Sequence, residues 1–389
     1  MALLDNHQGA QRSQGGMILK ARILEILLFI GLSFLISGCS DSTSGEVIIP
    51  LESFDPSTIN TINWMSKLDD NRKLNEIVLP GSHDSGMSKC VDCSSPAGIT
   101  CDLSKTQEWD IEHQLHAGTR YFDIRLGYEK GKLISTYHRQ SSGDGCDGED
   151  FPHLMEGVAR FLKHYPSEFV IFMFSHWRDT PKHYPDAIKV LVDINLTEWE
   201  KFFKSITKDP TDPDSKGREL LYKKDVSIYD NILATPVSEL RGKIVAVFKN
   251  YTIPGQSLYD PSKGRFFYMD IGPYPWEKGP WEKTNFPVYD EYSDTANYHT
   301  MKKDQLNKLD TFGGFGSPFL FVFSWTLTPK WYSQLSVIGL ASSANKSLPK
   351  VLEKEVWPKQ KLPNIVYIDL VTTQTNQCII QYNNDVRTW

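Results

Sequence analysis

Strand-like and helix-like segments alternate along this chain from Trp64 onward, and that alternation restricts its fold more than any other feature of the sequence. The strand-like segments are short runs of β-branched and aromatic residues, separated in several places by amphipathic stretches such as "LMEGVARFLKHY" and "TMKKDQLNKLD". We predict eight strands, at about residues 76–79, 120–126, 133–137, 169–174, 243–248, 265–269, 318–323 and 364–368. Strands that alternate with helices pair in parallel through crossover helices, so the pattern predicts an α/β fold, a TIM-type (βα)8 barrel.

Ionisable and indole side chains follow most of these predicted strands. The C-terminal strand ends of such a barrel open on one face, where its active sites form. The opposite strand ends carry ordinary loop residues such as "PSE" and "RGK". Two histidines with several acids and an arginine on one rim favour acid–base chemistry on a phosphate ester, because paired imidazoles can act as base and acid near neutral pH. The residues at the ends of these strands or shortly past them are His83, Asp84, Arg125, His138, His176, Lys249, Asp270, Trp325 and Asp369.

Composition and charge narrow the class of partner. The chain has 389 residues, of which 40% are hydrophobic and 12% aromatic, enough to bury a large core. Its net charge of -6 at pH 7 provides no basic field for a polyanion, so we do not expect nucleic acid as a partner. A small molecule, a lipid or a protein remains.

The N-terminal residues have the features of a secretion signal. In "MILKARILEILLFIGLSFLISGC", which starts at Met17, Lys20 and Arg22 precede an apolar run, and the ending resembles a bacterial lipobox, whose cysteine is diacylated and becomes the mature N-terminus. We expect a lipoprotein signal peptide at residues 1–39, with Met17 as an alternative translation start, and lipidation of Cys39. An uncleaved membrane anchor is the alternative, although the apolar run is shorter than the ~20 residues that a span needs.

The segment after Cys39 is polar and suits a tether. We expect residues 40–60 to lift the rest of the chain from a membrane surface and residues 61–389 to form the barrel domain. The barrel domain is then expected outside the cytoplasmic membrane, lipid-anchored in the bacterial cell envelope.

Four later cysteines can pair as disulfides in an oxidising compartment: Cys90, Cys93, Cys101 and Cys146. Such bonds would pin the loops after the first strand and after "STYHRQ". A zinc site is the alternative, but Cys90 and Cys93 lack a second pair at finger-like spacing.

Five segments resemble the phosphatidylinositol-specific phospholipase C family, both its bacterial type and the related X-domain proteins. They are "LPGSHDSGM", "LHAGTRYFDIRLGY", "HYPSEFVIFMF", "RGKIVAVFK" and "PNIVYIDLV". The resemblance extends from about Trp64 to Asp369 and rests on the order of the motifs along the predicted strands. It implies a distorted, incompletely closed (βα)8 barrel, and an enzyme in which the inositol 2-hydroxyl attacks phosphorus and releases diacylglycerol and inositol 1,2-cyclic phosphate.

The resemblance also implies roles for single residues. His83 resembles the general base that removes the 2-hydroxyl proton, and Asp369 the carboxylate that holds this histidine in the right tautomer. Arg125, in "FDIR", matches the arginine that pairs with the phosphate and offsets charge on its oxygens. For His83 and Asp84 the alternative is a helix cap or a turn.

His138 resembles the general acid that protonates the departing glycerol oxygen, with Asp84 and Asp123 as its supporting carboxylates. The segment "YHRQ" lacks the glycine that commonly follows this histidine in the family. His176, in "FSHWRD", is the reserve candidate for the acid and otherwise a rim residue that contacts substrate.

Three further rim residues are expected to contact the head group. They are Lys249, where the bacterial enzymes tend to have arginine, Asp270 and Trp325. The aromatic-rich residues 274–294 are either a lipid-facing rim with tryptophans at the interface or a packed surface loop.

No cofactor and no metal ion are expected. The calcium-dependent relatives place acidic ligands around the phosphate, whereas here Arg125 occupies one such position and Phe174 another. A guanidinium and a divalent cation cannot share one place, so the resemblance implies a metal-independent enzyme. Its expected partner is phosphatidylinositol or a related phosphodiester lipid, met at a membrane surface.

Two other functions stay open. A glycerophosphodiester phosphodiesterase is also a secreted barrel with an essential His–Arg pair, which His138 and Arg139 could supply, but the chain lacks the "ENT" motif and metal-binding acids of that family. The other is a non-catalytic lipid- or glycan-binding barrel that kept the fold and lost turnover. Release of water-soluble phosphoinositol separates these functions.

Overall fold

The structure, a computed structural model, describes the chain in segments that all lie in one compact unit. They are residues 56–129, 132–139, 144–178, 196–208, 211, 216–249, 259–272, 284–315, 317–330, 335–359 and 361–383. At residues 56, 128, 129, 132–134, 176–178, 196–199 and 206 only the backbone is described. The expected signal peptide, Cys39 and most of the expected tether lie outside these residues. No helix among them combines the length and the apolar character that crossing a bilayer requires.

Ten described strands form one sheet, and eight of them close into a parallel barrel in the order β1-β10-β9-β8-β7-β6-β5-β2. The strands are β1 (Leu79–Ser82), β2 (Tyr121–Glu129), β3 (Lys132–Arg139), β4 (Gly145–Asp150), β5 (Val170–Arg178), β6 (Ile244–Lys249), β7 (Phe266–Asp270), β8 (Phe286–Tyr289), β9 (Leu320–Trp325) and β10 (Ile365–Ile368). β1 pairs with β10 on one side and, at Gly81 and Ser82, with β2 on the other. The (βα)8 barrel is confirmed, but the expected gap in it is wrong, since the described strands pair all the way round.

Helices cover the outside of the barrel. The described α-helices are α1 (Ala97–Ser104), α2 (Ile111–His116), α3 (Phe151–His164), α4 (Leu196–Thr207), α5 (Val237–Leu240), α6 (Tyr298–Phe312), α7 (Val337–Asn345), α8 (Leu348–Val351) and α9 (Thr373–Ile380). α3 shows how sequence sets such a helix: the Asp150 carboxylate caps its first turn by accepting from the His153 N–H at 2.9 Å. Its apolar residues Leu154, Val158 and Phe161 are buried against the outer faces of β2 and β5.

Two of the strand predictions need correction. The predicted strand at residues 133–137 is β3, which pairs antiparallel to β2 and extends the sheet away from the barrel. Only two residues separate β2 from β3, too few for the crossover that a parallel pair requires. The eighth barrel strand is instead β8, inside the aromatic-rich residues 274–294, where Pro287 and a length of four residues hid the strand pattern.

The first predicted strand also lies a few residues too early. β1 runs Leu79–Ser82 and therefore continues through Pro80 and Gly81 to the edge of the site. A Cβ on Gly81 would lie 2.9 Å from the Ile365 Cγ2 and 3.3 Å from the Val366 carbonyl oxygen. Glycine at this position thus lets β10 approach β1 closely.

Side chains alternate strictly between the inside and the outside of the barrel. On β2, Tyr121 packs in the interior cluster, whereas Phe122 and Ile124 pack outside against α3. Because side chains repeat every second residue, Asp123 and Arg125 follow Tyr121 on the inner face. The interior of the barrel therefore changes from apolar to charged toward the C-terminal strand ends.

The packed part of the chain begins before residue 61. Pro56–Thr58 forms a 3-10 turn and Ile59 is buried, with its carbonyl oxygen accepting from the Gln377 Nε2 at 3.1 Å. The last residues of the expected tether therefore belong to the folded domain.

The four loop cysteines form two disulfides, Cys90–Cys101 and Cys93–Cys146. The first joins the loop after β1 to α1, and the second joins that loop to β4. Their sulfurs are therefore not available as thiolates for a zinc site.

Candidate active site

His83 and Asp369 meet because β1 and β10 are in register. Ser82 lies opposite Ile368, so the next residue of each strand reaches the rim at the same level. The Asp369 Oδ1 lies 2.8 Å from the His83 Nδ1. Nδ1–H therefore donates to the carboxylate, which leaves Nε2 as the atom that can accept a proton.

This pair has an unusual charge balance. Burial lowers the pKa of His83, but the carboxylates of Asp369 and Asp84 outweigh it and raise that pKa to about 9. Burial raises the pKa of Asp369, and the charge of His83 partly opposes this shift. The site thus stabilises an imidazolium, the form that a general base reaches in the transition state.

Gln107 holds the backbone of His83 in place, and this role was not predicted from the sequence. Its Nε2 donates to the His83 carbonyl oxygen at 3.0 Å and to the Ile368 carbonyl oxygen at 3.2 Å. An isolated glutamine in the irregular segment after α1 has no spacing signal that points to the site.

Asp84 connects the other half of the site. Its backbone adopts φ 40°, in the left-handed region, which asparagine and aspartate tolerate better than most residues. Its carboxylate forms close ion pairs with the Arg125 Nε and the His138 Nδ1. Burial would raise the pKa of Asp84, but Arg125, His83 and His138 together hold it far below its usual value. Asp84 is therefore a permanent anion between the two histidines.

Arg125 lies between the two imidazoles. Its Nη2 is 3.4 Å from the His83 Nε2, and its Nη1 is 3.4 Å from the His138 Nδ1. Burial lowers the pKa of Arg125, but Asp84 and Asp123 more than compensate and raise it. The guanidinium is thus a fixed positive charge at the centre of the site.

His138 reaches this centre from β3, outside the barrel. Its side chain keeps 25% of its surface exposed, similar to the 23% of His83, while the Asp84 side chain is fully buried. The two rings are therefore partly exposed to solvent, and the carboxylates that support them are not.

Asp123 lies beneath these groups and is held by other partners. Its two oxygens accept from the Ser175 Oγ at 2.8 Å and from the Tyr367 hydroxyl at 2.7 Å. Its Oδ2 also accepts from the Asp84 N–H at 3.3 Å. Among the described contacts, the carboxylate against His138 is that of Asp84, so the expectation that Asp123 also supports His138 directly is wrong.

A second charged cluster lies at the ends of β6, β7 and β8. The Lys249 Nζ is 3.4 Å from the Asp270 Oδ2 and 3.5 Å from the Asp290 Oδ2. The Tyr268 hydroxyl donates to Asp290 at 2.8 Å. Burial lowers the pKa of Lys249, but Asp290 and Asp270 raise it overall, and burial with Asp290 raises the pKa of Asp270 to about 6. The sequence analysis missed Asp290 because it missed β8.

Two expected positions lie on the wrong face of their strands. Trp325 is fully buried outside the barrel, stacks on Phe323 and donates its indole N–H to the Ala344 carbonyl at 3.1 Å, so it cannot contact a head group. Phe174 packs in the outer cluster, while Ser175 faces Asp123 inside. Counting alternate residues from a known inward position would have found both errors. The side chain of His176 lies outside the described residues.

Sequence comparison relates the chain to a group of lipid phosphodiesterases. It is 28% identical over 166 residues, 42% of this chain and 50% of the relative, to a 1-phosphatidylinositol phosphodiesterase of Staphylococcus aureus. It is 29% identical over 170 residues, 43% of this chain and 50% of the relative, to one of Listeria monocytogenes. Human PI-PLC X domain-containing protein 2 is 30% identical over 145 residues, 31% of this chain and 45% of that protein. The chain spans about half the length of the curated relatives it matches. No protein-family model matches it.

The chain resembles the phosphatidylinositol-specific phospholipases C. This confirms the resemblance seen in the motifs. The solved phosphatidylinositol-specific phospholipase C of Listeria monocytogenes aligns with a TM-score of 0.58 at 20% identity, over 84% of this chain and all of the other. One of Staphylococcus aureus aligns with a TM-score of 0.55 at 21% identity, over 82% of this chain and 97% of the other. At these identities the structural likeness shows the shared fold.

One group of side chains in this phospholipase C-like site has the spacing of a metal site. Ligand atoms of His83, Asp84 and Asp123 lie within 4.8 Å of one another. The Arg125 guanidinium is ion-paired with both carboxylates and lies beside the imidazole. A divalent cation among these atoms would be placed against a fixed positive charge, so the donor set suits an anion above Arg125 better than a cation.

Proposed function

We propose that the chain is a phosphatidylinositol-specific phospholipase C, a phosphodiesterase and lyase that cleaves phosphatidylinositol-type lipids to diacylglycerol and inositol 1,2-cyclic phosphate. The observation that carries the proposal is the Arg125 guanidinium, which lies between two imidazoles, each paired with a buried carboxylate. The names of the relatives support the same substrate.

The base half of the reaction belongs to His83. The Nδ1–H bond to Asp369 leaves Nε2 to take the proton of the inositol 2-hydroxyl as its oxygen bonds to phosphorus. Asp369 and Asp84 then stabilise the imidazolium that forms.

The phosphoryl group takes its countercharge from Arg125. In phosphoryl transfer, negative charge has to be balanced on the non-bridging oxygens, and a planar fork of donors can contact two of them at once. Its ion pairs with Asp84 and Asp123 hold that fork in place before substrate binds.

The acid half belongs to His138. Asp84 occupies its Nδ1, so Nε2–H is the proton that passes to the departing glycerol oxygen as the phosphorus–oxygen bond breaks. Asp84 therefore serves the acid while its charge also assists the base.

Lys249, Asp270 and Asp290 form the polar part of the inositol pocket in this proposal. A ring that carries several hydroxyls needs both donors and acceptors, which an ammonium and two carboxylates at 3.4–3.5 Å supply. His176 remains a candidate contact.

The reaction as proposed needs no metal ion. Arg125 supplies the positive charge at the phosphate, and it already occupies the space beside the three potential ligands. The calcium-dependent alternative would require this guanidinium to move away.

The site of action in the proposal is a membrane surface in the bacterial cell envelope. The motif "LISGC" at Cys39 and the polar residues after it support a lipid anchor that holds the barrel near its substrate.

A substrate panel tests the proposed function. Purified protein would be given vesicles of phosphatidylinositol or phosphatidylcholine and, separately, glycerophosphoinositol, with His83→Ala as the matched inactive control. We expect inositol 1,2-cyclic phosphate from phosphatidylinositol and no release of water-soluble phosphate from phosphatidylcholine. Release of glycerol 3-phosphate and free inositol from glycerophosphoinositol would favour a glycerophosphodiester phosphodiesterase, and vesicle binding without release would favour a non-catalytic barrel.

A further inference from the structure

Among the described residues, no barrel strand pairs with the backbone of His138. β3 runs antiparallel to β2, and their described register ends where Leu126 lies opposite Thr136. Beyond that point, His138 lies opposite Cys146 of β4, and its carbonyl oxygen also accepts from the Ser104 Oγ of α1 at 3.5 Å. The position of the His138 backbone relative to the barrel therefore depends mainly on where β4 lies.

β4 is in turn fastened to the loop that leaves β1. Cys146 forms a disulfide with Cys93 of that loop, and Asp147 exchanges two backbone hydrogen bonds of 2.8 Å with Val91. The same loop begins beside Asp84, whose carboxylate pairs with the His138 imidazole. The disulfide thus joins the two segments whose separation sets that ion pair.

Little space exists for β4 to move without moving His138. A Cβ on Gly145 would lie 2.0 Å from the His138 carbonyl oxygen. A Cβ on Gly148 would lie 2.3 Å from the carbonyl oxygen of Gly86, in the loop after β1. Backbones packed this closely transmit a shift of the loop after β1 to β4, and from β4 to His138.

We propose that the Cys93–Cys146 disulfide is a positioning element for His138, which it holds where the imidazole meets the leaving-group oxygen. The inference rests on the proposed function, in which His138 is the general acid. A displacement of about 1 Å at a reacting group can cost about 10²-fold in rate. The size of this rate loss should depend on the leaving group. A general acid accelerates the reaction most when the leaving group is an alkoxide, which needs a proton, and least when the leaving group departs as a stable anion.

The test compares two variants that each lose one disulfide. Cys93→Ser/Cys146→Ser removes the bond to β4, and the matched control Cys90→Ser/Cys101→Ser removes a bond between the same loop and α1. Each is assayed on phosphatidylinositol, whose leaving group is an alkoxide, and on 4-nitrophenyl myo-inositol 1-phosphate, whose leaving group is a nitrophenolate.

For Cys93→Ser/Cys146→Ser we expect kcat on phosphatidylinositol to fall about 10²-fold, with a change of less than about 3-fold on the nitrophenyl substrate. The control should change less than about 3-fold on both. In a His138→Ala background, removal of the Cys93–Cys146 disulfide should cost nothing further on phosphatidylinositol, because the acid that the disulfide positions is already absent.

An equal loss on both substrates, or additive effects with His138→Ala, would overturn the inference while leaving the proposed function intact. If the wild-type protein cleaves neither substrate, the proposed function and this inference fail together. Should Cys93→Ser/Cys146→Ser not fold, dithiothreitol treatment of folded Cys90→Ser/Cys101→Ser, in which Cys93–Cys146 is the remaining disulfide among the described residues, removes the same bond and should show the same dependence on leaving group.

Discussion

His83 is poised between two carboxylates and a guanidinium, and this balance determines how the site should respond to pH. The carboxylates raise its pKa to about 9, which favours the protonated imidazole at neutral pH in the free protein. A general base has to be neutral to accept a proton, so raising the pH toward 9 increases the active fraction.

We therefore predict that kcat/KM for phosphatidylinositol rises with pH along a limb whose apparent pKa is near 9. Asp369→Asn removes the carboxylate that raises the pKa of His83 most, so it should move this limb to lower pH while lowering the plateau value of kcat. The matched control is Asp110→Asn, which alters an exposed His–Asp pair with an Oδ1–Nδ1 distance of 2.6 Å. An unshifted limb in Asp369→Asn would contradict the assignment of His83 as the base. The measured value belongs to the coupled group of ionisable residues as a whole.

Arg125→Lys tests whether the phosphate needs a fork of donors or merely a positive charge. Lysine keeps the charge but cannot contact two phosphate oxygens at once, so we expect kcat to fall roughly 10²-fold, as when a preorganised donor is lost. Arg160→Lys, at a half-buried arginine paired with Glu112 and Glu156, is the control and should change little. Full activity in Arg125→Lys would leave Arg125 with a structural role only.

At the scale of strands and helices, side chains alternate between the two faces of a strand. This alternation explains which strands and which side-chain positions can be predicted from the sequence and which cannot. Strands made of β-branched and aromatic runs, such as β2 and β10, are recognisable, and the residues just past them reach the rim in register. β8 is short and contains Pro287, so neither it nor Asp290 was recognisable. Trp325 was assigned by its distance from the strand end alone, without asking which face it occupies.

His138 reaches the candidate site from a different kind of strand than the one expected. We predicted from the sequence that this histidine follows a barrel strand. It lies instead on β3, which pairs antiparallel to β4, and a disulfide links β4 to the loop after β1. The pairing of Cys93 with Cys146 could not be derived from spacing, because four cysteines allow three connectivities.

Asp290, at the end of β8, should contribute to head-group binding. Asp290→Asn removes the charge that faces Lys249 and Tyr268, so we expect KM for phosphatidylinositol to rise about 10-fold or more, with a smaller effect on kcat. Asp260→Asn, at an acid paired with Lys263 and Arg265, is the matched control. Equal effects of the two substitutions would place Asp290 outside the pocket.

At the scale of the whole molecule, the proposed lipid anchor at Cys39 lies outside the described residues and would hold the barrel at a membrane surface. Cys39→Ala should abolish fatty-acid labelling and release the protein from the membrane fraction, while the turnover of phosphatidylinositol dispersed in detergent stays unchanged. Labelling that persists in Cys39→Ala would exclude the lipobox.

The central claim is that two histidines and an arginine cleave the phosphodiester without a metal ion. Phosphorus-31 NMR of the reaction with phosphatidylinositol, run in excess chelator, tests it most directly because it identifies the first product as well as the rate. We predict that inositol 1,2-cyclic phosphate appears first, at a rate that chelator does not change. A reaction that stops in chelator and resumes with calcium, or one that yields inositol 1-phosphate with no cyclic intermediate, would contradict it.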